Sequence, residues 1–196
     1  MSDRETLAVY DAQAADYAAL TESEARDKQL AAFIADMPQA GHVLDLGCGP
    51  GHSAAEMARH GLNVTATDAS AEMVSLAAAH PGVTAHQATF DEIAGHALYD
   101  GIWANFSLLH APRDAMPRHL AAIVRALKPG GRFHIGVKTG TGSRRDALGR
   151  LYTYYTEDEL TALLADAGLS VFATNRGTSK GLDGAMAGWI TLAARA

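Results

Sequence analysis

The stretch from Val43 to Asp68, VLDLGCGPGHSAAEMARHGLNVTATD, constrains the fold more than any other part of the chain. A short apolar run leads into Gly47, Gly49 and Gly51. An alanine-rich segment then ends at Gly61, and a second apolar run closes on Asp68. Residues 42–46 read as a short buried strand. Residues 53–60 read as a helix with Gly61 in its left-handed cap position, and 62–67 as the next strand. A glycine turn between strand and helix lets a ligand approach the main chain, since no Cβ intervenes. A carboxylate ending the next strand can accept hydrogen bonds from a ribose diol. Together they point to an adenosine-type ligand at the carboxyl ends of the strands.

The alternation continues along the chain. A helix over 71–79 stops at Pro81 and Gly82. Strands are expected over 83–86, 100–105 and 132–137, and a helix over 117–127. KPGG, 128–131, reads as a tight turn after that helix. Thr156 opens a further helix, with Glu159 at capping-box spacing and Gly168 at its end. Strands over 169–174 and 189–194 follow with no helix between them, which predicts a closing hairpin with one antiparallel strand. Strand and helix alternating in this way mean an α/β domain with a parallel sheet and helices on both faces. The first forty residues read as helix. Leu7, Tyr10, Ala14, Tyr17 and Ala18 form an apolar stripe, and a second helix is expected over 23–37.

Composition narrows the classes. Hydrophobic residues make up 48% of the 196, which fits a globular chain. No window approaches the roughly eighteen apolar residues of a membrane span. The opening MSDRETLAVYDAQ lacks a signal-peptide apolar core, so a cytoplasmic location is expected. Cys48, the one cysteine, precludes an internal disulfide. A net charge of −6 speaks against a nucleic-acid platform. No metal-ligand spacing appears among the histidines and acids.

The glycine spacing selects among adenosine ligands. Dinucleotide folds use G-x-G-x-x-G and a P-loop needs GK[ST], whereas this loop is Gly47-x-Gly49-x-Gly51 preceded by Asp45. A carboxylate beside the loop repels a pyrophosphate and suits an ammonium or a sulfonium.

VLDLGCGPG resembles the first motif of class I S-adenosylmethionine-dependent methyltransferases. YDGIWANFSLLH (99–110) resembles that family's fourth-strand motif, and LKPGGRFHI (127–135) the stretch entering its fifth strand. YTEDELTALLADAGL (155–169) is similar to the late helix of the small-molecule branch, and YDAQAADYAAL (10–20) to its N-terminal lid. The resemblance implies a Rossmann-like, doubly wound, seven-stranded sheet in the order 3-2-1-4-5-7-6 with strand seven antiparallel. It also implies one domain over 1–196, with a helical lid over 1–40 and a core over 41–196. The implied cofactor is S-adenosyl-L-methionine, leaving S-adenosyl-L-homocysteine as product.

Roles carry over position by position. Gly47, Gly49 and Gly51 would line the methionine portion, with Asp45 near its ammonium. Asp68 would hold the ribose, with Ala69 and Met73 beside the adenine. Thr89 stands where the family often has an aspartate reading the adenine edge, and Phe90 would pack on the ring. Asn105 and Phe106 would face the sulfonium and the incoming nucleophile, and Tyr17 would close over the cofactor.

His110 is the candidate base, since its chemistry suits proton transfer near neutrality and it follows the fourth strand. The segment after the fifth strand is the most individual. Lys138, Arg144, Arg145 and Arg150 stand there against Asp146 alone, with Tyr152, Tyr154 and Tyr155 beside them. Gly140 and Gly142 would make it mobile, and Lys138, Arg144, Arg145 and Tyr152 would bind an acidic small substrate. The alternative is that Asp146 pairs with Arg150 and the tyrosines belong to the core. The leading reading is methyl transfer to a small molecule, with neither nucleic acid nor membrane as partner, by a monomer or a homodimer. A non-catalytic S-adenosylmethionine-binding protein and a nicotinamide oxidoreductase are the alternatives.

Overall fold

The computed structural model describes residues 3–22 and 27–196. The expected start of the second helix, 23–26, lies outside the described residues. Among the described residues, three α-helices precede the sheet: α1 (Arg4–Ala12), α2 (Ala14–Thr21) and α3 (Lys28–Ala35). Asp3 caps α1 by accepting the Thr6 N–H at 2.9 Å, and Asp27 caps α3 by accepting from Gln29 at 2.7 Å. Gln13 leaves helical geometry (φ −117°, ψ 22°) and separates α1 from α2. The bend sets Tyr10 edge-on to Tyr17, with ring centroids 5.2 Å apart.

The core runs β1 (His42–Leu46), α4 (His52–Arg59), β2 (Asn63–Asp68), α5 (Ala71–Ala78), β3 (Val83–Gln87) and β4 (Tyr99–Asn105). It continues with α6 (Met116–Ala126), β5 (Leu127–Lys138), β6 (Ser143–Arg145), β7 (Leu151–Thr153), α7 (Glu157–Asp166), β8 (Ser170–Lys180) and β9 (Met186–Arg195). Seven strands form one sheet in the order β3-β2-β1-β4-β5-β9-β8, with β9 antiparallel to both neighbours. With the small β6–β7 hairpin set aside, this is the 3-2-1-4-5-7-6 order that the resemblance implies.

The period-2 alternation of a strand divides the core in two. Leu44 and Leu46 of β1 and Ile102 and Ala104 of β4 bury one face, with α6 and α7 residues such as Leu120, Ile123 and Leu160. Val43 and Trp103 bury the other, with Leu30 and Phe33 of α3 and Met57 of α4. Gly101 lets α3 lie close on that second face, since a Cβ there would stand 2.5 Å from Phe33 Cζ.

Three details differ from the sequence reading. KPGG is no separate turn: β5 already pairs at Tyr99↔Leu127 and resumes at Gly101↔Arg132, so the glycines absorb a bulge within one strand. Half of the capping box at Thr156 forms. Thr156 Oγ1 accepts the Glu159 N–H at 3.2 Å, while the Glu159 carboxylate pairs with Arg113. The segment after β5 carries a hydrogen-bonded hairpin that the sequence reading did not name, with Arg144 opposite Tyr152 and Arg145 opposite Leu151.

Candidate active site

The glycine loop is tied to the end of β2 by its own main chain. The N–H groups of Gly47 and Cys48 both donate to the Thr67 carbonyl, at 2.7 and 2.9 Å. Gly47 has φ 74°, and a Cβ there would fall 2.3 Å from Ser107 Cβ. Gly49 donates its N–H to Asp68 Oδ2, and Ser70 donates to Oδ1, both at 2.9 Å. The acid is thus oriented by the loop it faces. Burial raises the pKa of Asp68 above the usual carboxylate value, against the pull of these N–H donors.

A crevice opens over this loop. Its floor and one wall hold Tyr17, Gly47, Gly49, Asp68, Ala69 and Met73. Thr89, Phe90, Asn105 and Phe106 form the other wall. Two of the expected residues lie behind this lining. Asp45 is 3% exposed beneath the loop. Gly51 is buried at the N-terminus of α4, where a Cβ would stand 2.8 Å from Ala77 Cα, so its glycine serves helix packing. Thr89 turns its hydroxyl to Glu92 at 2.9 Å, completing a capping box on the turn at 90–92. Thr6, Leu7, Pro50, Ala88 and Ser107 also line the crevice, and the sequence reading assigned none of them to the site, although Leu7 belongs to the expected apolar stripe. Ser107 was within reach, because it follows Asn105 and Phe106 directly. Its hydroxyl donates to the Leu46 carbonyl at 2.5 Å and seals the top of β1 to β4. Phe106 itself holds a left-handed backbone (φ 53°), a strained conformation that turns the chain where the crevice ends.

The charge of the lining decides what it can hold. Asp3 and Asp68 line the crevice, and among the described residues no lysine or arginine does. A pyrophosphate would find no cation there. The bare approach at Gly47 and Gly49, the ribose-ready carboxylate of Asp68 and the ring of Phe90 fit S-adenosylmethionine, whose sulfonium and ammonium are positive.

A second pocket of about 320 Å³ lies against the first. Tyr10, Tyr17 and Phe106 line both. Its own residues include Tyr152, Trp189, Lys138, Arg150 and Lys180, and among the described residues no carboxylate lines it. Arg150 is already matched. Its side chain and that of Asp146 are 2% and 4% exposed, and two guanidinium nitrogens reach Asp146 Oδ2 at 2.6 and 2.9 Å. Lys138 is not matched in this way. Its Nζ lies 3.8 Å over the Tyr152 ring, half-buried, with no carboxylate among the described residues within 4.0 Å. Burial lowers its pKa. The four expected cations therefore separate. Lys138 and Arg150 face the pocket, Arg144 covers the Tyr154 ring at 3.9 Å, and Arg145 turns to the lid. Arg145 binds Asp3 through two hydrogen bonds of 2.9 Å and approaches Glu5 at 3.1 Å.

His110 lines the first pocket and lies against the hairpin at Leu151. Its Nδ1–H donates to the Leu151 carbonyl at 2.8 Å, so the neutral ring presents Nε2 as an acceptor. The Tyr10 hydroxyl lies 2.9 Å from Nε2 and donates to it, while Arg150 donates to the Tyr10 oxygen at 3.2 Å. Burial pushes the His110 pKa down to about 4. The ring is neutral near pH 7, and both nitrogens are engaged. Elsewhere, His134 is buried and stacked on Trp103 at 3.6 Å, its pKa about 3, with Nε2 at 3.2 Å from Asn105 Oδ1. Among the described residues no group of three His, Cys, Asp or Glu side chains could hold a metal ion, and no helix is long and apolar enough to cross a membrane.

Residues 43–131 match a family model described as a methyltransferase domain. Dimethylglycine N-methyltransferase of Parasynechococcus marenigrum is 34% identical over 106 residues, covering 50% of this chain and 37% of that protein. Trans-aconitate 2-methyltransferase of Deinococcus radiodurans is 33% identical over 159 residues, covering 79% of this chain and 57% of that protein. The chain thus spans about half the length of these curated relatives, or less. The crystal structure of Burkholderia thailandensis 1,6-didemethyltoxoflavin-N1-methyltransferase, solved with 1,6-didemethyltoxoflavin and S-adenosylhomocysteine, superposes with a TM-score of 0.69 at 28% identity. The match covers 93% of this chain and 86% of that one.

Proposed function

The chain belongs to the class I S-adenosylmethionine-dependent methyltransferase superfamily, and on that premise we propose that it methylates an anionic small molecule held in the second pocket. One observation carries the reading: two adjoining pockets of opposite charge meet at Tyr10, Tyr17 and Phe106. Relatives named for dimethylglycine and for trans-aconitate leave the acceptor to this chain's own residues.

S-adenosylmethionine, when bound, supplies a methyl carbon activated by a positive sulfur. The residues of the chain hold and orient. Asp68 accepts from the ribose hydroxyls, Phe90 packs on the adenine, and Gly47 and Gly49 admit the methionine portion against the main chain. Asp45, buried below, contributes negative potential toward the ammonium. Asn105 and Phe106 bound the passage between the pockets. Lys138 and Tyr152 grip the acceptor, Lys138 by charge and Tyr152 by its ring face. Arg145 acts through Asp3, fastening the lid rather than touching the acceptor. Alignment of this kind is worth roughly 7–11 kcal/mol of barrier without any proton transfer.

Calorimetric titration with S-adenosylhomocysteine and with NAD, followed by a turnover screen on small organic acids with S-adenosylmethionine, tests this reading. Binding of S-adenosylhomocysteine alone, and methyl transfer to at least one acid, are expected. Preference for NAD would end it. Cofactor binding with no transfer to any acceptor would favour a binding protein instead.

A further inference from the structure

The acceptor's proton raises the next question. His110, the imidazole nearest the shared wall of the two pockets, is not free to take one. His110 spends Nδ1–H on Leu151 and receives the Tyr10 proton at Nε2. The groups around it are Arg150, Lys138, Asp146, Tyr10 and Tyr152. Burial opposes a positive imidazole most, against the pull of the Leu151 carbonyl, and Arg150 and Lys138 oppose it further. Asp146 favours it, but its carboxylate is bound to Arg150. Tyr10 and Tyr152 are themselves held neutral by burial. The second pocket adds Lys138 and Lys180, so a protonated amine would be repelled there.

We propose that the attacking atom is an oxygen already ionised before it binds, as in a carboxylate or an acidic phenol or enol, and that none of the described residues acts as its general base. This rests on the methyltransferase reading above. The balance is simple: one bond forms from that oxygen to the methyl carbon, the bond from carbon to sulfur breaks, and its electron pair stays on sulfur. No proton is transferred. Lys138 is the group that selects the charge. Its half-buried ammonium feels Asp183 and Asp146 only from beyond contact distance, and an anion in the pocket would bond it directly.

The test uses the full protein loaded with S-adenosylhomocysteine and two kinds of probe. Phenylacetate is compared with phenylacetamide by calorimetry. The carboxylate should bind at least tenfold tighter, and Lys138→Met should erase that gap while leaving S-adenosylhomocysteine binding within twofold. The second probe is a set of nitrophenols of graded acidity, followed by phenolate absorbance and by titration in buffers of different ionisation enthalpy. Affinity should rise through each phenol's own pKa, and at pH values below that pKa each binding event should release a proton to the buffer. Three results would overturn the proposal: no preference for the carboxylate, including no binding at all; a midpoint that stays fixed as the phenol changes; or a proton retained by the protein. Failure of the protein to bind S-adenosylhomocysteine would instead remove the underlying methyltransferase reading.

Discussion

The crevice over the glycine loop is floored by main chain and edged by Asp3 and Asp68, whereas the pocket beside it is walled by side chains and edged by Lys138, Arg150 and Lys180. The first is built from neighbours in sequence: Gly47, Cys48 and Gly49 bond to Thr67 and Asp68 within one strand–helix–strand unit. The second joins distant segments. Tyr10, Phe106, Tyr152 and Trp189 line it together, and Arg150 reaches Tyr10 across 140 positions. The difference separates a shared task from an individual one. Holding a cofactor is done by backbone shape, and choosing an acceptor by charged side chains set on a lid and a hairpin.

The comparison can be broken from the acceptor side first. Arg150→Ala should cost about 3–5 kcal/mol of stability, because it leaves the Asp146 carboxylate buried without its cation. A denaturant titration measures this. A double variant, Arg150→Met with Asp146→Asn, should regain part of the loss, and a drop below about 1 kcal/mol in the single variant would show that the pair is solvated.

On the cofactor side, Asp68→Ala should weaken S-adenosylhomocysteine by roughly ten- to a hundredfold, the size of one charged hydrogen bond at about 1.5–3 kcal/mol. Acidification should act in the same direction. The pKa of Asp68 is raised by burial, so its carboxylate is lost at higher pH than an ordinary aspartate's, and cofactor affinity should fall there. For the free protein the sign reverses. A raised folded pKa means that this residue's contribution to stability is present at low pH and is lost as pH rises through that pKa. Affinity measured from pH 8 downward follows the first effect, and Asp68→Asn should flatten it.

The smallest effect is expected at Arg145. Its bond to Asp3 holds that carboxyl well below the usual carboxylate range, yet both side chains are partly exposed, at 38% and 20%. Exposed pairs contribute little. Arg145→Ala should change acceptor KM and cofactor affinity each by no more than a few-fold. A large rise in KM alone would mean that Arg145 reaches the acceptor after all.

The same division governs what could be read before the structure. The individual strands, the Gly61 cap and the placement of Asp68 follow from local spacing, because apolar period and glycine φ act over a few residues, whereas the strand order came from the family resemblance. The charge pair Asp146–Arg150 was also visible, although it closes a turn between strands and not a helix. The bulge in β5 was hidden, since KPGG suits a turn equally well until β4 is laid beside it. Lys138 and Arg145 look alike in sequence. Only the fold shows that one faces Tyr152 in the pocket and the other Asp3 on the lid.

A crystal structure of the protein with S-adenosylhomocysteine tests the central claim most directly. The ribose hydroxyls should lie on the Asp68 carboxylate, the amino-acid portion on Gly47 and Gly49, and the sulfur should face the passage at Phe106 toward Lys138. Ligand bound elsewhere, or with its sulfur turned away from the cationic pocket, would contradict the account.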